Sequence, residues 1–186
     1  IHQWTFNDGT GRDSIGSLDL TLYNGAAVVG GRLGLDGIRQ YARTAAMPQT
    51  VTVRTLVAWV SPQNLTQRSG GVLAIDTPIP GDDLFDAIVF GEGTPRQWQS
   101  ASYYALRSPG NNGGALETVA HPTTVMIAIA YAADNSITIY RNGVPYAAYT
   151  QGTMQAYGAN VAQILLGVRH AVHVNGVGTA AGIDPF

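Results

Sequence analysis

The chain has 186 residues, a formal net charge of −2 and no Cys, which excludes a disulfide framework, a Cys-ligated metal centre and a thiol nucleophile. Its ten basic residues are all Arg and are scattered from Arg12 to Arg169. Schiff-base chemistry, a P-loop lysine and a basic nucleic-acid stripe are therefore excluded as well. Only 12% of residues are charged while 23 are Gly and 45% are hydrophobic, a balance that suggests a turn-rich β protein with a polar, uncharged surface. The length fits a single domain over residues 1–186, able to bury roughly 70% of its unfolded surface without a metal or disulfide. The apolar runs are too short to predict a membrane-inserted helix. The first residue is Ile1, with neither an initiator Met nor a basic-then-apolar leader, so a mature or trimmed chain is expected.

Strand signals follow one another along the chain. Ile1–Phe6 reads as a short aromatic strand, and Leu18–Tyr23 alternates apolar and polar residues. Ala26–Val29 and Arg32–Asp36 flank Gly30-Gly31, and Gln40–Thr44 alternates again. Val51–Ser61 is a longer β-branched strand, followed by Val72–Asp76, Asp86–Gly91 and Trp98–Tyr104. Val125–Ala133 is apolar on both faces, which predicts a covered position in mid-sheet. Ser136–Arg141 and Pro145–Tyr149 flank Asn142-Gly143, a hairpin signal because both central residues of such a turn need positive φ. Ala162–Val168 is the last clear strand. About a dozen short strands with turn signals every 8–12 residues or so predict an all-β sandwich. Two loops stand out: 76–85, with two Pro and a carboxylate cluster, and 107–122, long enough to be functional or mobile.

Several phrases recur together in one known architecture: HQWTFNDGTGRDSIG (2–16), GGRLGLDG (30–37), TLVAWVSPQNLTQRSGGVLAI (55–75), FDAIVFGE (85–92), YAADNSITIYRNGVPY (131–146) and QILLGVRH (163–170). In this order they resemble the laminin G-like domains of the concanavalin A-like lectin/glucanase superfamily, over nearly the whole chain. The resemblance implies a two-sheet antiparallel β-sandwich with jelly-roll topology. FDAIVFGE and ILLGVRH look most like domains embedded in very large secreted bacterial proteins beside cytochrome c-like domains, which implies a module of a larger extracellular or periplasmic protein. The family's closing strand, roughly G-x-I-x-x-A-x-x-Y, has no counterpart before Phe186. An edge left open there would expose unpaired backbone groups, to be filled by the chain's continuation or by a partner.

The superfamily includes glycoside hydrolases, whose chemistry needs two carboxylates ~5–10 Å apart. The chain has only two Glu, Glu92 and Glu117, and no Glu-x-Asp-x-x-Glu; Asp82, Asp83 and Asp86 sit in or beside a Pro/Gly loop and read as solvated. No catalytic residue is therefore expected. His170 and His173, three apart, would face opposite sides of a strand and so would not form a two-His metal site; with His2 and His121 they read as surface or edge packing. The resemblance implies a possible Ca²⁺ at the rim, with Asp8, Asp13, Asp36 and Asp184 as candidate ligands. The plainer reading of Asp36-Gly37 is a turn in which the Asp caps its own backbone.

Sugar binding needs an aromatic platform and directional polar groups. Trp98, Tyr103 and Tyr104 fall in one segment with Arg96, Gln97, Gln99 and Arg107, and form the candidate carbohydrate site. The alternative is that these aromatics pack half inward on a strand. Trp4 and Trp59 lie in alternating apolar stretches and are expected in the core. The sequence thus supports a non-catalytic carbohydrate-binding module, with a protein-docking domain and, more weakly, a glycan-cleaving enzyme as alternatives.

Overall fold

The computed structural model describes residues 1–79, 84–102, 106–170 and 186, together with the backbone of 172–174 and 177–179. The described elements are all strands: β1 (Thr21–Tyr23), β2 (Ala27–Val29), β3 (Arg32–Gly34), β4 (Tyr41–Arg43), β5 (Arg54–Val60), β6 (Gly70–Asp76), β7 (Phe85–Phe90), β8 (Trp98–Ser102), β9 (Val125–Tyr131), β10 (Ser136–Arg141), β11 (Val144–Thr150), β12 (Gln163–Leu166), β13 (Val172–Val174) and β14 (Val177–Thr179). A six-stranded sheet in the order β1-β4-β12-β6-β7-β8 faces a four-stranded sheet in the order β11-β10-β9-β5, every pairing antiparallel. The expected β-sandwich is therefore the observed one. β2–β3 and β13–β14 are separate hairpins.

Period-two alternation builds the core. Leu56 and Val60 of β5, Val125, Ile127 and Ile129 of β9, and Ile137 and Ile139 of β10 point inward. They meet Leu73 and Ile75 of β6, Ile88 and Phe90 of β7, Trp98 of β8 and Ile164 of β12. Burial of each such side chain contributes about 1.5–3 kcal/mol before entropy is counted. A second apolar layer covers the other face of the six-stranded sheet: Tyr41, Ala74, Phe85, Ala87, Val89, Ala101 and Leu165. All six residues of β7 are consequently buried. β9 does lie in mid-sheet, between β10 and β5.

The Asn142-Gly143 hairpin is present, with φ of 51° and 80° and Arg141 opposite Val144. The Ile1–Phe6 expectation is corrected: the segment makes no strand, although its exposure alternates, and it is tied down by side chains instead. The second edge of β5 carries no strand among the described residues. Residues 180–185, where a closing segment would begin, lie outside the described residues, as do Asp82, Asp83, Tyr103, Tyr104 and Asp184.

Candidate functional site

Within the segment expected to bind sugar, β8 (Trp98–Ser102) is an internal girder. Trp98 has no exposed surface, tilts against Phe90 with ring centroids 4.7 Å apart, and donates its indole N–H to Glu117 Oε1 at 2.6 Å. Glu117 also accepts a two-pronged bond from Arg141, at 2.6 and 2.9 Å. Gln97 and Gln99 are buried too: Gln97 donates to the Gly114 carbonyl, and Gln99 to those of Pro109 and Gly110. The 107–122 loop is therefore strapped over β8. Gly114 lies so close to the Tyr146 ring that a Cβ there would sit 2.1 Å from it. Arg107 is buried as well, and these facts correct the platform expectation for both Trp98 and Arg107, because neither has a face on which a sugar ring could stack. Of the described candidates only Arg96 is exposed.

Among the described calcium candidates, Asp8, Asp13 and Asp36 each accept hydrogen bonds within their own loops. Asp13 is buried, and its two oxygens accept N–H bonds from Gln3, Ile15, Gly16 and Leu18 and meet His2 Nδ1 at 2.6 Å. Burial acts to raise its pKa, and the bonds from Gln3, Gly16, His2 and Leu18 outweigh it, holding the carboxyl well below the usual carboxylate range. Asp13 is thus an organiser of the N-terminal loop, with its lone pairs committed to donors. Asp36 caps its own turn, accepting from the N–H groups of Ile38, Arg39 and Gln40, with Gly37 at φ 65°. Asp8 is exposed and accepts from Thr10 N–H, which lowers its pKa. Among the described residues no group of three or more His, Asp or Glu is placed to hold a metal ion.

Asp86 is not the solvated loop carboxylate expected. It is fully buried at one end of the sandwich and accepts from Arg54, from the Ser102 hydroxyl and from the Tyr157 hydroxyl, the last at 3.0 Å. His170 is buried as well, bonded to Asp76 and stacked on Phe85 at 5.2 Å. His2 and His121 behave as edge residues, His121 facing the Ser61 hydroxyl at 3.2 Å.

The exposed aromatic is elsewhere. Trp59, expected in the core, is 70% exposed on the outer face of the four-stranded sheet, whereas Trp4 is half-buried and donates to the Leu18 carbonyl. Strand register fixes the neighbours of Trp59. It stands opposite Met126; the next row is Val57, Ala128 and Tyr140, and the one beyond is Thr55, Ala130, Thr138 and Ala148. No charged side chain lies in these rows. Alternation alone could not find this face, because Thr55-Val57-Trp59 and Leu56-Ala58-Val60 are both apolar enough to be the inner one. A polar cleft of about 330 Å³ is lined by Thr5, Asn7, Asp8, Arg12 and Ser14.

No protein-family model and no curated protein matches the chain by sequence. Solved structures do match in shape. Domain 4 of AbnA, an extracellular GH43 arabinanase from Geobacillus stearothermophilus, superposes with a TM-score of 0.66 at 18% identity, over 90% of this chain and 82% of that one. A heptameric pentraxin from Limulus polyphemus superposes with a TM-score of 0.56 at 10% identity, over 82% of this chain and 68% of that one. The shared feature is the two-sheet antiparallel β-sandwich. At such identities the likeness concerns the fold alone, and function has to be argued from the surfaces described above.

Proposed function

We propose that the chain is a non-catalytic carbohydrate-binding module whose glycan stacks on Trp59. The observation that carries this reading is a largely exposed indole on a sheet face without charge. A pyranose or furanose ring presents one apolar face to such a platform, and the hydroxyls of Thr55, Thr138 and Tyr140 on the neighbouring rows suit its polar rim. The absence of charge favours a neutral glycan over a polyanion. The arabinanase domain that shares the fold is a complex with arabinotriose, which makes arabino-oligosaccharides the first probe. The resemblance to laminin G-like domains of large secreted bacterial proteins extends the proposal to a module of a larger extracellular or periplasmic protein.

The carboxylates support the non-catalytic part. All nine that are described already hold partners: Asp76, Asp86, Glu92 and Glu117 accept from His or Arg, and Asp8, Asp13, Asp19, Asp36 and Asp134 accept from backbone N–H groups. An acid–base pair for glycoside cleavage would need two carboxyl groups turned to a common cleft.

A protein-docking domain is the second reading, favoured by a specific feature. Val53, Val57 and Trp59 are exposed along β5 and the residues leading into it, and the outer edge of β5 carries no strand among the described residues. A partner strand could add there through main-chain bonds.

Calorimetric titration with arabinotriose, followed by a glycan array in calcium and in chelator, separates these readings. Saturable binding abolished by Trp59→Ala supports the module. Binding abolished instead by Asp8→Asn moves the seat to the polar cleft. Loss in chelator brings calcium back as a cofactor. No glycan binding by folded protein, with association that Trp59→Ala disrupts, favours docking.

A further inference from the structure

The end of the sandwich where β5, β7, β8, β9 and β11 meet holds an unbalanced charge. Arg54 and Arg107 are both buried there, and Asp86 is the carboxylate they share. Arg54 is well anchored: it bonds Asp86 and the carbonyls of Thr52 and Gln155, and lies over the rings of Tyr131 and Tyr157 at 4.8 and 4.7 Å. Arg107 is not. Its Nε donates to the Gln151 carbonyl at 3.3 Å, its Nη1 stops 3.7 Å from Asp86 Oδ1, and neither Nη1 nor Nη2 has a hydrogen-bond partner among the described residues although both are buried. A guanidinium does not shed its proton in a protein, so the charge remains.

Among the described residues nothing beside it supplies the missing negative charge. The three tyrosines around the cluster are kept as neutral phenols: burial pushes Tyr149 up to about 12 and raises Tyr131 and Tyr157 further. Asp76, the neighbouring carboxylate on β6, is taken by His170 and Gln163. The Asp86 oxygens are taken by Arg54, Ser102 and Tyr157. A buried excess charge with unused donors is costly enough that native interiors provide a counter-ion or ordered water.

We infer that this end of the sandwich binds one small monovalent anion, seated on the Nη1–H and Nη2–H groups of Arg107. Both groups are buried, so the seat takes a halide or a small carboxylate and no sugar. Its role is to neutralise the second guanidinium and so stabilise the fold.

Thermal unfolding tests this with chloride raised from zero to about 200 mM, ionic strength being held constant with gluconate, a bulky anion. The expected result is a saturating rise of about 3–6 °C, as for any ligand bound by the native state alone. A parallel series in formate distinguishes a halide seat from a carboxylate seat. Arg107→Met should melt at the same temperature in every salt, and in gluconate it should equal or exceed the wild type, since it removes the excess charge. The ³⁵Cl NMR linewidth of a chloride solution should broaden with wild-type protein and narrow again on adding formate if the two compete, a readout that does not depend on the variant folding. Wild-type melting that is flat in both chloride and formate, with no ³⁵Cl broadening, overturns the proposal.

Discussion

Trp98 and Trp59 end in places opposite to those their neighbours suggest. Trp98 is flanked by Gln97 and Gln99 and an Arg two residues before it, yet it has no exposed surface; Trp59 is flanked by Ala58 and Val60, yet it is 70% exposed. The difference lies in which face carries each ring: Trp98 points into the core against Phe90, while Trp59 stands on the outer face of β5. β8 pairs with β7, which is buried on both sides, and the loop that follows β8 folds back to satisfy Gln97, Gln99 and the Trp98 indole. β5 lies at a sheet edge with nothing described over its outer face. Polar neighbours thus mark a buried network, and apolar neighbours a surface.

The largest expected effect that tests this contrast is Trp98→Ala, which should cost about 3–5 kcal/mol in urea unfolding through the cavity and the Glu117 carboxylate left short of a donor. Trp59→Ala should stay within about 0.5 kcal/mol of wild type in the same assay. Equal losses from the two would collapse the distinction between girder and platform.

Asp13→Ala comes next, at about 2–3 kcal/mol, because it leaves several backbone donors of the N-terminal loop without an acceptor. The same carboxylate sets an acid limit. Its folded pKa lies below the unfolded value, so its contribution is complete above about pH 4 and is lost as pH falls toward the folded value. Melting temperature followed from pH 6 down to about pH 2 should fall, and the fall should be shallower in Asp13→Asn.

Glu117→Gln should cost about 1–2 kcal/mol: the amide oxygen still accepts from Trp98, while the charge that faces Arg141 is lost. The smallest stability change belongs to Trp59→Phe, which keeps an aromatic face. It should leave unfolding unchanged and weaken glycan affinity by about tenfold or less in titration, against near-complete loss for Trp59→Ala.

Much of the fold is legible in the amino-acid sequence. Alternation over Ser136–Arg141 and Pro145–Tyr149 around Asn142-Gly143 puts a hairpin in the right place, because a two-residue turn constrains φ locally. Asp36-Gly37 is legible as a self-capped turn for the same reason. Ile1–Phe6 is not legible, since its hydrogen bonds run to side chains far along the chain, such as that of Asp13, and not to a neighbouring strand. The site is poorly legible. The neighbours of Trp98, Arg107, Asp86 and His170 suggest exposed or loop positions, and each owes its burial to a partner many positions away: Glu117, Gln151, Arg54 and Asp76.

The sequence by itself determined the class of fold and its turns, because period-two alternation and positive-φ residues act over a few positions. It also determined the excluded chemistries, because composition needs no geometry. Only the tertiary structure decided which face of β5 meets water, where two like-charged guanidiniums share one carboxylate, and which aromatic stays outside. Those outcomes depend on which face of each strand packs against the other sheet and which loop closes over it, and both are set by contacts between residues distant in the chain.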